Sequence, residues 1–114
     1  MYGKCRRQYT GRIMYAMKSK IRDEKLDFLF RGILTLETIE DCYNFFEDLC
    51  TVSELQEMSR RMHAARMLNS NHIYADIAEQ TGLSTATISR VNRCLKYGSD
   101  GYLSVLEKIE KKRR

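Results

Sequence analysis

Apolar residues recur along this chain at three- and four-residue steps, the spacing of one face of an α-helix, and the pattern predicts an all-α fold. Leu26, Leu29, Phe30, Ile33 and Leu34 mark the face of a first helix, which is expected from Lys18 onward. Thr35 is a candidate N-cap for a second helix, with Glu37 in its first turn, where the helix dipole favours negative charge. Its inner face reads Ile39, Cys42, Tyr43, Phe46, Leu49 and Cys50, and Phe45 lies off it. Thr51-Val52-Ser53-Glu54 has the Thr-x-x-Glu form of a capping box, so a third helix should start there. That helix places Leu55, Met58, Met62 and Ala65 on one face and Arg60, Arg61 and Arg66 elsewhere, and it ends at the polar turn Asn69-Ser70-Asn71. Met58, Met62 and Met67 are read as core packing rather than as a soft binding surface.

The most informative segment runs from Tyr74 to Tyr97 and reads as a helix-turn-helix. Two helices that cross steeply through a tight turn need a small side chain at the crossing, and Ala78 occupies it. The turn needs a residue that adopts a left-handed backbone at little cost, which Gly82 supplies. Apolar residues must face the domain from both helices, and Ile77, Leu83, Ile88, Val91 and Leu95 do so. Ser84 then caps the second helix, whose outward surface holds Thr85, Ala86, Ser89, Arg90, Arg93 and Lys96. Small residues at its N-terminus let the backbone approach bases, threonine and alanine methyls can touch thymine, and arginine can pair with guanine or reach phosphate. The expected DNA-binding set is therefore Ser84, Thr85, Ala86, Ser89, Arg90, Arg93 and Lys96.

A last helix over Tyr102–Arg114 should turn Leu103, Leu106 and Ile109 inward and brace this unit. Its closing Lys-Lys-Arg-Arg is either a contact to the DNA backbone or a solubilising tail. Residues 1–17 are basic and aromatic without clean periodicity and are read as a disordered arm, with a DNA-contacting tail or a start upstream of the native one as alternatives. Residues 18–114 are then expected to form one domain.

Composition agrees with helices and adds a direction. The chain of 114 residues has no proline. Residues 1–35 carry nine basic and three acidic side chains, residues 36–58 seven acidic and no basic ones, and residues 59–114 eleven basic and five acidic ones. A polyanion is drawn to the two ends and repelled by the middle, which should face away from it. Cys5, Cys42, Cys50 and Cys94 lie far apart, and with only His63 and His72 to join them they fit no metal pattern. They are expected as free thiols, with Cys42, Cys50 and Cys94 packing as small apolar side chains. No apolar run approaches a membrane span and the N-terminus lacks a signal-peptide core, so a cytoplasmic protein is expected. No nucleophile is paired with a base in a recognisable motif and there is no glycine-rich phosphate loop, which argues against an enzyme.

At Gly82-Leu-Ser-Thr-Ala-Thr-Ile-Ser-Arg-Val-Asn-Arg-Cys-Leu-Lys96 the sequence resembles the Trp repressor superfamily, and specifically its TrpR-related YerC/YecD family. The resemblance extends to Cys42–Val52, Ala65–Leu68 and Leu95–Gly98 and covers roughly residues 20–110. It implies a TrpR-like helical bundle in which two chains form an intertwined homodimer and two reading heads address a palindromic site, as a transcriptional regulator and repressor on double-stranded DNA. It also implies a small-molecule corepressor site at the positions of Arg60, Thr87 and Arg90. The family has a glycine after the recognition-helix arginine, where the indole of tryptophan needs room, and this chain has Val91. Overfilling such a site costs on the order of 1–3 kcal/mol, so tryptophan is not the expected ligand and no cofactor is required. The competing expectation is a protein–protein adaptor on the same scaffold; the lysine and arginines on the outward face of the second helix speak against it.

Overall fold

The computed structural model describes residues 21–113, which form six helices and no strand. The expectations for residues 1–17, for a helix start at Lys18 and for Cys5 lie outside the described residues. The helices are α1 (Glu24–Ile33), α2 (Ile39–Leu49), α3 (Val52–Asn69), α4 (Tyr74–Thr81), α5 (Thr85–Tyr97) and α6 (Gly101–Arg113). Packing divides the chain into two units after Phe45, within α2.

The N-terminal unit is built by local hydrogen bonds. Asp23 caps α1, its carboxylate accepting from the Leu26 N–H at 2.7 Å. The expected cap at Thr35 belongs instead to the end of this helix: its hydroxyl donates to the Gly32 carbonyl at 2.7 Å. The cap of α2 is Thr38, whose Oγ1 accepts from the Asp41 N–H at 3.0 Å. The Asp41 carboxylate reaches back to the N–H groups of Thr38 at 3.3 Å and Glu37 at 3.1 Å. Asp41 thus closes a capping box three residues after Thr38, and Glu37 stands before the helix rather than in its first turn. No residue of α1 or α2 is buried. Phe28 is 71% exposed, Leu34 83%, Ile39 76% and Tyr43 60%.

The unit from Phe46 onward holds the core. The Thr51–Glu54 capping box forms as expected, with the Glu54 N–H donating to Thr51 Oγ1 at 3.1 Å and the Thr51 N–H to Glu54 Oε1 at 2.8 Å. At its other end α3 closes on Asn71, which takes a left-handed φ of 66°. The Asn71 N–H returns to the Leu68 carbonyl and the His72 N–H to the Met67 carbonyl, the two bonds of a Schellman motif. Along α3 the inward positions divide between two clusters. Ala64 and Met67 pack with Ile77, Leu83 and Ile88; Ala65 packs with Val91 and Leu95; Leu68 touches both clusters. One stripe through Leu55, Met58, Met62 and Ala65 misses Ala64, which is fully buried, because a helix packed on two sides needs two stripes. Met67 is buried as expected, and Met58 is 38% exposed.

Helix α6 packs on the second cluster through Tyr102, Leu103 and Leu106. Ile109, expected on its inward face, is 48% exposed and does not join the cluster, and Tyr102, one turn before Leu106, takes an inward role instead. The cysteines are also corrected in part. Cys42, Cys50 and Cys94 are free thiols, but Cys42 and Cys94 are exposed rather than packed: α2 buries none of its residues, and the helix of Cys94 turns Ile88, Val91 and Leu95 inward instead.

Two of these local arrangements have measurable consequences. Thr81 is a buried polar residue whose hydroxyl donates to the Ile77 carbonyl at 2.7 Å and accepts from the Leu83 N–H at 3.2 Å. Thr81→Val should lower unfolding stability by about 1–3 kcal/mol by stranding a buried N–H, and Thr81→Ser should recover most of it in urea titrations. The Glu54 carboxyl is held below the ordinary glutamate range by the Thr51 backbone N–H and then by its hydroxyl. A depressed folded-state pKa adds stability that is present above the unfolded value and lost as pH falls through the folded one. Glu54→Gln should therefore flatten the acid side of the stability–pH curve, read as thermal midpoints across the carboxylate range.

Candidate nucleic-acid interface

The turn between α4 and α5 places the outward face of α5. Helix α4 ends on Gly82, which has φ +77° and accepts no side chain without backbone strain. Its N–H donates to the Ala78 carbonyl at 2.8 Å. Leu83, 7% exposed, pins the turn to the core, and the buried Thr81 hydroxyl ties the N–H of Leu83 back to α4. Ser84 then caps α5 by accepting from the Thr87 N–H at 3.1 Å. These are the small residue, glycine and serine cap that the sequence placed at these positions, and Ala78 packs against the first cluster.

Helix α5 has two unlike sides. Ile88 is fully buried, Val91 is 2% exposed and Leu95 8% exposed. The expected DNA-binding residues, Ser84, Thr85, Ala86, Ser89, Arg90, Arg93 and Lys96, are all exposed. They share one helix and its cap, and helix periodicity gathers them on the side away from the core. Arg90, Arg93 and Lys96 are the charged residues of this helix, which contains no acid. A helix with cations on one side and a sealed apolar contact on the other presents positive charge that its own fold does not use. One exposed residue of this stripe stands outside the expected set. Tyr97, 83% exposed, continues the series Ala86, Arg90, Arg93 at steps of four, three and four. That periodicity was the available signal.

The three residues of the expected effector site fare differently. Arg60 on α3 meets Glu57, with its Nη1 3.9 Å from the carboxylate, and Arg61 meets the other oxygen of Glu57 at 3.6 Å. Both pairs are substantially exposed and contribute little to stability. Thr87 on α5 is half-buried, and its hydroxyl accepts from the Ser84 hydroxyl at 3.1 Å. Arg90 is exposed. Next to Arg90 in sequence lies Val91, set against Ala65, Leu95 and the side chains of α6. Among the described residues no group of His, Cys, Asp and Glu is placed to hold a metal ion, and no helix is long and apolar enough to cross a membrane.

Comparison with known proteins places these features in a family. Residues 24–110 match the sequence profile described as Trp repressor protein. The uncharacterized protein YerC of Bacillus subtilis is 50% identical over 91 residues, which is 80% of this chain and 88% of YerC. A solved TrpR-like protein from Eubacterium eligens superposes with a TM-score of 0.76 at 48% identity, covering 80% of this chain and 94% of that one. A candidate Trp repressor solved from Staphylococcus aureus gives a TM-score of 0.76 at 49% identity, covering 80% and 91% of the two chains.

Proposed function

Because the chain belongs to the Trp repressor family, a family of DNA-binding regulators, we propose that it is a transcriptional repressor that binds a palindromic operator as a homodimer. The observation that carries this reading is α5: its inner side is sealed by Ile88, Val91 and Leu95, and its outer side offers Arg90, Arg93 and Lys96 with small residues nearest the cap. Such a helix suits the major groove, where its N-terminal residues meet base edges and its cations meet guanine or phosphate.

The dimer is supported by the two N-terminal helices. Helix α1 has ten residues, below the roughly 12–15 at which an isolated helix persists in water, and no residue of α1 or α2 is buried. A second copy that covers Phe28, Leu34, Ile39 and Tyr43 supplies the missing contacts, and a two-fold axis makes the same patch serve both chains. Two reading heads then address two half-sites one or more helical turns apart. The acidic residues of α2 and early α3, Glu40, Asp41, Glu47, Asp48, Glu54 and Glu57, would belong to the body of the dimer, away from phosphate. A cytoplasmic location goes with this role.

Tryptophan is not the signal in this reading. Support comes from Val91, 2% exposed, whose side chain takes up contact with Ala65 and Leu95 where an indole would need room. If another small molecule modulates binding, Arg60, Thr87 and Arg90 are the side chains to test.

Selection of bound sequences from a random duplex pool, with and without tryptophan, should enrich one two-fold symmetric site equally in both conditions. Enrichment only with tryptophan would overturn the effector reading, and no enrichment in either would favour an adaptor. Affinity for the selected site should fall steeply with salt, and Lys96→Ala should lessen the log–log slope by about 0.9 for each phosphate that is no longer neutralised. Arg93→Ala should weaken operator binding; unchanged affinity for both operator and random DNA would remove that residue from the interface. Separately, Phe28→Asp should shift the protein from dimer to monomer in sedimentation equilibrium and abolish tight operator binding. A Phe28→Asp protein that stays dimeric would exclude that side chain from the subunit contact.

A further inference from the structure

We propose that Tyr97 is a further DNA contact, its phenol gripping the phosphodiester backbone at the edge of the groove that α5 enters. The inference rests on the DNA-binding reading above and adds to it a residue that neither composition nor charge selects.

Tyr97 is the last residue of α5 and is 83% exposed, as much as any large apolar side chain described. A single exposed tyrosine needs no explanation by itself. What distinguishes this one is its register. It lies on the same stripe as Ala86, Arg90 and Arg93, opposite Ile88, Val91 and Leu95, so any surface that meets those arginines also meets its ring. The ring is also carried on a fixed base. The Gly98 N–H donates to the Cys94 carbonyl at 3.0 Å, and a Cβ at Gly98 would stand 2.5 Å from that oxygen. Only glycine lets the chain leave the helix this tightly, immediately after Tyr97. Leu95 is buried and holds the same turn to the core.

Length then decides which part of the DNA it reaches. Eleven residues separate Ala86 from Tyr97, a rise of roughly 16 Å at about 1.5 Å per residue. A recognition helix meets base edges with its N-terminal residues, and in a groove about 12 Å wide this leaves its C-terminal end toward the groove's edge. With Ala86 and Ser89 near base edges, Tyr97 lies past the floor of the groove and against its wall of sugar and phosphate. A phenol suits that position: its O–H donates to a non-bridging phosphate oxygen while the ring covers deoxyribose. It does so as a neutral group, so it adds affinity without releasing a counterion.

This neutrality sets the test. Dissociation constants of the full chain, unsubstituted and with Tyr97→Ala, Tyr97→Phe or Lys96→Ala, are measured against the selected operator and a random duplex of equal length over a range of salt. Tyr97→Ala should weaken both duplexes by a similar factor, at least about tenfold, with the salt slope unchanged. Tyr97→Phe, which keeps the ring and any packing it provides, should lose most of the same factor. Lys96→Ala should instead lower the slope. Equal affinity of Tyr97→Phe and the unsubstituted protein would overturn the hydroxyl–phosphate bond. Unchanged affinity of Tyr97→Ala would overturn any role in DNA binding. Loss confined to the operator, with relaxed preference at one base pair, would make Tyr97 a base reader and overturn the backbone assignment. If the unsubstituted protein bound neither duplex, the DNA-binding reading would fall and this inference with it.

Discussion

The close approach of α3 to α4 and α5 rests on two adjacent alanines. Ala64 and Ala65 are both fully buried, and each serves a different cluster: Ala64 meets Ile77 and Ile88, Ala65 meets Val91 and Leu95. A methyl group on each side lets neighbouring helices come close without leaving a void. Larger side chains there would push the helices apart at a cost of about 1–3 kcal/mol each. Leu68, one turn further on, touches both clusters and joins them. The angle at which α5 leaves the turn, and hence where its outer face points, depends on this seat.

Holding α5 from one side leaves its other side chemically free. Ser84, Thr85, Ala86, Ser89, Arg90, Arg93 and Lys96 are exposed, so what they contribute is decided by what they meet outside the chain. The turn that precedes them is held by three unlike devices within four residues: the buried Thr81 hydroxyl, the left-handed Gly82 and the Ser84 cap. Each satisfies or relieves a backbone group that a sharp reversal would otherwise leave unpaired or strained. Rigidity at the turn is what allows a helix of 13 residues to present small side chains at one end and a tyrosine at the other in fixed register.

The N-terminal helices obey a different constraint. Their caps are complete, with Asp23 on α1 and the Thr38–Asp41 pair on α2, yet neither helix buries a residue. Hydrogen bonds define where these helices begin but do not stabilise short helices in water without apolar contact. Their exposed phenylalanine, leucine, isoleucine and tyrosine side chains are the apolar surface on which the proposed dimer draws.

Local chemistry was legible in the sequence wherever a few neighbouring residues decide the outcome. The Thr51–Glu54 box, the turn at Gly82, the cap at Ser84 and the inward set Ile77, Leu83, Ile88, Val91 and Leu95 all follow from spacing of three or four residues, because hydrogen bonds and helix faces close over that range. The resemblance to the Trp repressor family rested chiefly on the turn and second helix of this motif, Gly82–Lys96. One local reading failed: Thr35, expected as the cap of α2, is engaged at the end of α1, and Thr38 caps α2 with Asp41. Tertiary structure decided what spacing leaves open. Ala64 is core because α3 is packed on two sides, and Ile109 is not, because from α6 the second cluster takes Tyr102, Leu103 and Leu106. Cys94 shares a helix with buried residues and remains exposed, since burial depends on which neighbour lies opposite, and that is set by distant parts of the chain.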